Sequence, residues 1–70
     1  MGRLAALTPH KVIRLLKKHG FVEARQTGSH LVLRHPDSGR MAVVPVHAYD
    51  IPRETLMTIL KHAGIRIQDD

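Results

Sequence analysis

The fold of this chain is decided by the stretch Thr27-Gly28-Ser29-His30-Leu31-Val32-Leu33-Arg34-His35-Pro36. Its composition predicts a tight turn, then a strand, then a second turn, because glycine and proline flank a run that alternates with a period of two. Leu31 and Leu33 fall on one face of this strand, and His30 and Arg34 fall on the other. The rest of the chain is predicted to support this ribbon.

Length and composition limit the molecule to one small domain. We expect residues 1–70 to form a single domain, with an ordered part of about 3–65. The chain has no cysteine, which excludes disulfides and thiolate metal sites and favours a reducing, cytoplasmic compartment. No apolar run approaches the ~20 residues of a membrane span, and residues 1–4 lack the apolar core of a signal peptide.

The charge balance is basic and suggests a polyanionic partner. Eleven Lys and Arg residues against six Asp and Glu residues give a net charge of +5, which favours nucleic acid. The alternative is a basic domain without such a partner. One Phe, one Tyr and no Trp leave little for base stacking, so any RNA is predicted to be held more by phosphate contacts and shape.

Capping signals predict two helices. Thr8 caps the first helix, and Pro9 occupies its first position. Gly20 ends that helix, so that Phe21 folds back on it. The second helix is capped by Asp50 or Ile51 and ends at Gly64. The apolar stripes are Val12, Ile13, Leu15 and Leu16 in the first helix and Leu56, Ile59, Leu60 and Ala63 in the second.

Between the helices, residues 22–26, 29–35 and 40–46 are predicted to be strands, joined by turns at 27–28 and 36–39. The order is therefore α-β-β-β-α. We expect an α+β fold in which both helices cover one face of a three-stranded antiparallel sheet, since that arrangement buries both stripes.

The loop lengths fix a register. Arg25 then lies opposite His30, Leu31 faces Val44, and Leu33 faces Ala42. A slip of one residue would bury charges. A bulge near the first turn remains an alternative, because Thr27 suits a left-handed position poorly. The inner face is predicted to carry Val22, Ala24, Leu31, Leu33, Ala42, Val44 and Val46, and the outer face Glu23, Arg25, His30, Val32, Arg34, Met41 and Val43.

This register places His30 among groups suited to phosphodiester chemistry. Arg25 is its direct cross-strand neighbour, and His47 emerges on the outer side one diagonal step away, roughly 7–8 Å. An imidazole can take a proton from a ribose 2′-hydroxyl, and an arginine can hold the phosphate, so no metal or cofactor is required. His35 falls on the other face, which argues against a metal pair with His30. The remaining histidines are predicted to be surface or capping residues: His10, His19 and His62.

An ordered set of short motifs runs through the chain: Gly28-Ser29-His30, His35-Pro36, Val44-Pro45-Val46-His47, Thr55-Leu56, Ile59-Leu60 and Ala63-Gly64-Ile65. The set resembles the HicA (YcfA-like) toxin family over about residues 3–65. The resemblance implies a double-stranded-RNA-binding-like fold and a bacterial or archaeal toxin that cleaves mRNA and is neutralised by a HicB-type antitoxin. It also implies that His30, in the glycine-serine-histidine triplet, is catalytic. His47 matches a frequent family position without a settled role.

The last helix departs from that family. Many relatives open it with Gly-Thr-Leu-Arg, where this chain has Glu54-Thr55-Leu56-Met57. An arginine that could meet phosphate or a partner is therefore missing from this helix. The departure does not touch the triplet that contains His30.

Three hypotheses follow. The first is a metal-independent endoribonuclease toxin of a type II system, with His30 as general acid or base and Arg25, Arg34, Ser29 and His47 contacting mRNA. The second is a non-catalytic module that binds double-stranded RNA. The third is a protein-interaction domain that docks a partner on Val32, Met41 and Val43. A HicB-type antitoxin on that strip would also cover His30.

Overall fold

The computed structural model describes residues 7–47 and 49–66. Its elements are α1 (Pro9–Lys18), β1 (Val22–Thr27), β2 (His30–Arg34), β3 (Met41–Pro45) and α2 (Arg53–Ala63). The three strands form an antiparallel sheet in the order β1-β2-β3. The predicted α+β fold with the order α-β-β-β-α is confirmed. The prediction about residues 1–4 lies outside the described residues.

Helix α1 begins and ends as the sequence predicts. The Thr8 hydroxyl accepts a hydrogen bond from the Lys11 N–H at 3.3 Å, and Pro9 is the first helical residue. At the other end the Phe21 N–H donates to the Leu16 carbonyl at 3.0 Å. This bond satisfies a carbonyl of the last turn and folds Phe21 back into the core, where it is 3% exposed.

Helix α2 begins differently from the prediction, although it ends after Ala63 with the Ile65 N–H bonded to the Leu60 carbonyl at 2.9 Å. Its N-cap is Pro52, which has no side-chain capping bond, so neither Asp50 nor Ile51 caps it. Ile51 is instead fully buried, and its N–H donates to the Leu7 carbonyl at 2.7 Å. Burial of a large apolar side chain outweighs a capping bond here.

The core lies between the helices and the inner face of the sheet. Both helices pack on that same face, and they cover β2 and β3. Leu31 faces Val44 and Leu33 faces Ala42, as predicted. The buried cluster comprises Val12, Leu16, Phe21, Leu31, Leu33, Ala42, Val44, Ile51, Leu56, Ile59, Leu60 and Ala63. In the described part of the chain, neither helix is long and apolar enough to span a membrane.

The register of β1 differs from the prediction in two ways. The turn is Gly28-Ser29 rather than residues 27–28, so Thr27 and not Arg25 lies opposite His30. The register then shifts between Glu23 and Arg25, which leaves Ala24 in a bulge. A bulge in β1 was an open alternative, but it lies away from the turn. Thr27 thereby avoids the left-handed position that it suits poorly.

The bulge reverses which face of the sheet the side chains at the start of β1 occupy. Glu23 was predicted on the outer face but lies opposite Leu33 on the inner face, where its carboxylate is 2.6 Å from the Lys17 ammonium of α1. Val22 was predicted on the inner face but is exposed, opposite Arg34. Ala24 is exposed as well. The helices do not cover β1, so burial does not enforce the predicted register there.

Candidate active site on the outer face of the sheet

The outer face of the sheet, opposite the helices, carries three rows of side chains. Strand pairing aligns Thr27, His30 and Pro45 in the first row, at the end of the sheet that holds the β1–β2 turn. The second row is Arg25, Val32 and Val43, and the third is Val22, Arg34 and Met41. The predicted site residues Arg25, His30 and Arg34 therefore share one face.

His30 is the first residue of β2, and its side chain is exposed. No hydrogen bond or ring contact engages its imidazole within residues 7–47 and 49–66. Both ring nitrogens are therefore open to a bound molecule. One of them can accept a proton while the other donates a hydrogen bond, as a general base or acid requires.

The turn before His30 is held in place from β3. Gly28 has a φ of 58°, whereas the φ of Ser29 is not positive. This pattern is typical of a two-residue hairpin turn whose first position requires glycine. The Val46 N–H donates to the Ser29 carbonyl at 2.6 Å. This hydrogen bond extends the β2–β3 pairing beyond Pro45 and fixes the backbone next to His30. Ser29 thus has a positioning contact through its backbone.

His47 follows this hydrogen bond by one residue. His30 lies opposite Pro45, the last residue of β3, and His47 follows Pro45 by two residues. It thus takes the place of a diagonal neighbour, for which ladder geometry gives roughly 7–8 Å. The Tyr49 N–H donates to His47 Nδ1 at 3.1 Å. Nδ1 therefore acts as an acceptor in this contact, and Nε2 is the ring nitrogen that can donate.

The arginines stand at different distances from His30. Arg25 is a diagonal neighbour, roughly 7–8 Å away, rather than the direct neighbour that the sequence predicted. Arg34 lies four residues along β2, roughly 13 Å away at about 3.3 Å per residue. Both side chains are exposed, and neither forms a salt bridge in the part of the chain that the structure describes. Their guanidinium groups are available to phosphate oxygens.

His35 lies apart from this site, as its spacing predicts. Its ring meets Phe21 edge-on, with centroids 5.2 Å apart. Its Nδ1 accepts hydrogen bonds from the N–H groups of Asp37 at 3.1 Å and Ser38 at 3.3 Å. His35 therefore shapes the β2–β3 turn from the helix side of the sheet. Within the described residues, no three histidine or carboxylate side chains converge as a metal site.

Exposed apolar side chains surround the cationic ones on the outer face. Met41, Val43 and Val22 are each about half exposed. Val32 is on this face as predicted, but it is only 6% exposed, since it is the central residue between Arg25 and Val43. Met41 and Val43 thus form most of the apolar strip that a partner could reach.

Sequence reasoning missed Tyr49. It is 75% exposed, and its ring centroid lies 5.5 Å from that of His47. The signal was present in the sequence, because this is the chain's only tyrosine and it follows His47 by two residues.

Comparison with known proteins supports a family assignment. The family model described as the HicA toxin of bacterial toxin–antitoxin systems matches residues 9–65. The match spans α1 through the residue that closes α2, and it includes His30 and His47. No curated protein matches the chain.

Proposed function

The chain belongs to the HicA toxin family of bacterial toxin–antitoxin systems, and we propose that it is an endoribonuclease that cleaves mRNA in the cytoplasm with His30 as its catalytic residue. The observation that carries this proposal is the exposed imidazole of His30, which has no hydrogen bond or ring contact with the described residues, on a face that also presents Arg25 and Arg34. A net charge of +5 favours the approach of a polyanion.

The proposed reaction uses the ribose next to the broken bond. His30 takes the proton of the 2′-hydroxyl, and the 2′-oxygen attacks the adjacent phosphorus. The bond from phosphorus to the 5′-oxygen breaks, that oxygen takes up a proton from solvent, and the phosphate becomes a 2′,3′-cyclic ester. Arg25 stabilises the charge that builds on the phosphate, and Arg34 holds a phosphate further along the strand.

Two groups near His30 have supporting roles in this proposal. The Nε2–H of His47 donates a hydrogen bond to the phosphate, because Nδ1 is engaged by the Tyr49 N–H. Ser29 keeps His30 in position through its carbonyl, and its hydroxyl contacts the RNA backbone. All of these groups are side chains or backbone atoms of the protein, so cleavage is expected to proceed in EDTA.

The test is cleavage of a long single-stranded RNA in EDTA by the wild type and by His30→Ala. Loss of a general base is expected to lower the rate by about 10²- to 10⁴-fold. His62→Ala, an exposed histidine in α2 on the helix side of the sheet, is the matched control and should keep the activity. Circular dichroism checks both folds. Cleavage by a well-folded His30→Ala protein would contradict the proposal, and duplex binding without cleavage would favour a non-catalytic RNA-binding module.

We further propose that a HicB-type antitoxin neutralises the toxin by covering the outer face. Apolar Met41 pairs with Arg34, and Val43 lies in the row of Arg25, next to the row of His30, so one partner surface with apolar and acidic groups fits the whole face. Met41→Glu should weaken antitoxin binding in gel filtration and calorimetry. Met57→Glu is the matched control, because Met57 in α2 is 47% exposed and Met41 is 48% exposed. Equal effects of the two changes would contradict this docking face.

A further inference from the structure

We infer that Tyr49, whose ring packs at a tilt beside that of His47, is a platform for the nucleobase next to the phosphate at which the RNA is cleaved. It thereby gives the enzyme a contact with bases as well as phosphates. This inference rests on the proposed function for the identity of the substrate. The ring is 75% exposed, and it is the chain's only tyrosine. Unpaired bases of single-stranded RNA stack on aromatic faces that are this accessible to solvent.

The ring is held in place on one side. Its centroid lies 5.5 Å from that of His47 at a tilt of 56°, within the range of favourable aromatic pairs. The hydrogen bond from the Tyr49 N–H to His47 Nδ1 ties the backbone of one residue to the ring of the other. Orienting the ring before RNA arrives lowers the entropy cost of ordering it on binding.

Tyr49 lies near the proposed catalytic residue His30, because it is tied to His47. The bond between the Val46 N–H and the Ser29 carbonyl sets His47 diagonal to His30. Gly28 lies in the turn two residues before His30, and a Cβ added there would meet no atom within 4 Å. A ribose and phosphate can therefore occupy the open space beside His30 while the attached base reaches the exposed face of Tyr49.

The consequence is selectivity for flexible, single-stranded RNA. A base inside a duplex is stacked on its neighbours and is not free to lie on a protein ring, whereas an unpaired base is. Stacking accepts every base, since each has a π-face, so the platform selects for an accessible base rather than for one sequence.

The experiment measures binding without cleavage. His30→Ala protein in EDTA is titrated with a short single-stranded oligoribonucleotide that carries one 2-aminopurine, whose fluorescence falls when it stacks. A second oligonucleotide of equal length has abasic ribose in place of every base and an end label for anisotropy, so its phosphate charge is the same. We expect the abasic strand to bind about tenfold more weakly.

Substitutions at position 49 separate stacking from apolar contact. Added to His30→Ala, the change Tyr49→Phe should keep both affinity and quenching. Tyr49→Leu and Tyr49→Ala should each weaken binding about tenfold and abolish the quenching. Met57→Ala, an exposed change in α2, should have no effect.

Three results would overturn the inference: equal affinity for the two strands, no binding of either strand, or full affinity in Tyr49→Leu. If Tyr49→Ala instead weakens only antitoxin binding, the inference is also wrong, because the residue then serves the partner. Cleavage of long RNA by the wild type is measured separately. An error in the proposed stacking role of Tyr49 can therefore be distinguished from an error in the proposed ribonuclease activity.

Discussion

Gly28 and Gly39, in the turns at the two ends of β2, allow the position of His30 to be tested apart from the stability of the sheet. Their φ angles are 58° and 76°, and a Cβ added at either would meet no atom within 4 Å. An alanine at each position therefore costs conformational strain without a steric clash. Gly28 lies two residues before His30, whereas Gly39 lies at the far end of the strand.

The expected loss of stability is the same for Gly28→Ala and Gly39→Ala. An L-residue in the left-handed region costs about 1–2 kcal/mol, and alanine recovers part of this by restricting the unfolded chain. The net loss in the free energy of unfolding is about 1 kcal/mol for each variant. Urea unfolding followed by circular dichroism measures it. In a domain of this size it corresponds to a fall in Tm of about 4–8 °C.

The effect on RNA cleavage is expected to differ between the two variants. Relief of strain in Gly28→Ala shifts the turn, and with it the Ser29 carbonyl that bonds the Val46 N–H. A displacement of about 1 Å at a catalytic group can cost about 10²-fold in rate. Gly28→Ala should therefore cleave RNA more slowly, by up to about 10²-fold, while Gly39→Ala keeps the wild-type rate. Equal cleavage rates in the two variants would refute the argument that the turn positions His30.

Three further predictions concern the core, the second turn and the RNA contacts. Leu33 is fully buried in the centre of the sheet, so Leu33→Ala should lower the free energy of unfolding by about 3–4 kcal/mol in urea titration; a loss below about 1 kcal/mol would contradict its central position. His35→Ala removes the acceptor for two backbone N–H groups and should cost about 1–2 kcal/mol. His35→Asn, whose side-chain oxygen can accept such bonds, should cost clearly less, and a result in the reverse order would count against this role. Arg25→Ala in the His30→Ala background should reduce the slope of log affinity for single-stranded RNA against log salt by about 0.7. Lys18→Ala, on α1, should leave that slope unchanged.

The β2–β3 pairing and the helix stripes could be predicted because burial enforces them. Leu31 and Leu33 alternate with polar or outward residues, and a slip of one residue would move both out of the core. The start of β1 could not be predicted in the same way. Neither helix covers it, so Val22 gains no core contact from facing inward, while Glu23 gains the ammonium of Lys17. An exposed pair of this kind is worth only a few tenths to about 1 kcal/mol, but that is enough to favour one register where core burial does not favour the other.

The position of the first turn follows from the positive φ that each possible loop requires. A loop at 27–28 puts a threonine where φ must be positive, whereas a loop at Gly28-Ser29 needs a positive φ only at the glycine. The two loops differ by two residues in register, so the faces of Arg25 and Thr27 are the same in both. For that reason Arg25 lies on the predicted face even though its predicted partner, His30, is wrong.

Three histidines, His30, His35 and His47, lie near the two hairpins, and they differ in the hydrogen bonds made by the ring nitrogen Nδ1. Residue type alone does not predict this difference. In His35 and His47 Nδ1 accepts a backbone N–H from two residues later in the chain. The shape of the following turn makes that bond, in which Nδ1 is the acceptor and Nε2 is the nitrogen that can donate. His30 is followed by an extended strand, which carries the next N–H groups into pairing with β1 and β3. Its nitrogens therefore stay free of local bonds. A general base must exchange a proton during the reaction, and of these three histidines only His30 can do so without breaking a contact that shapes a turn.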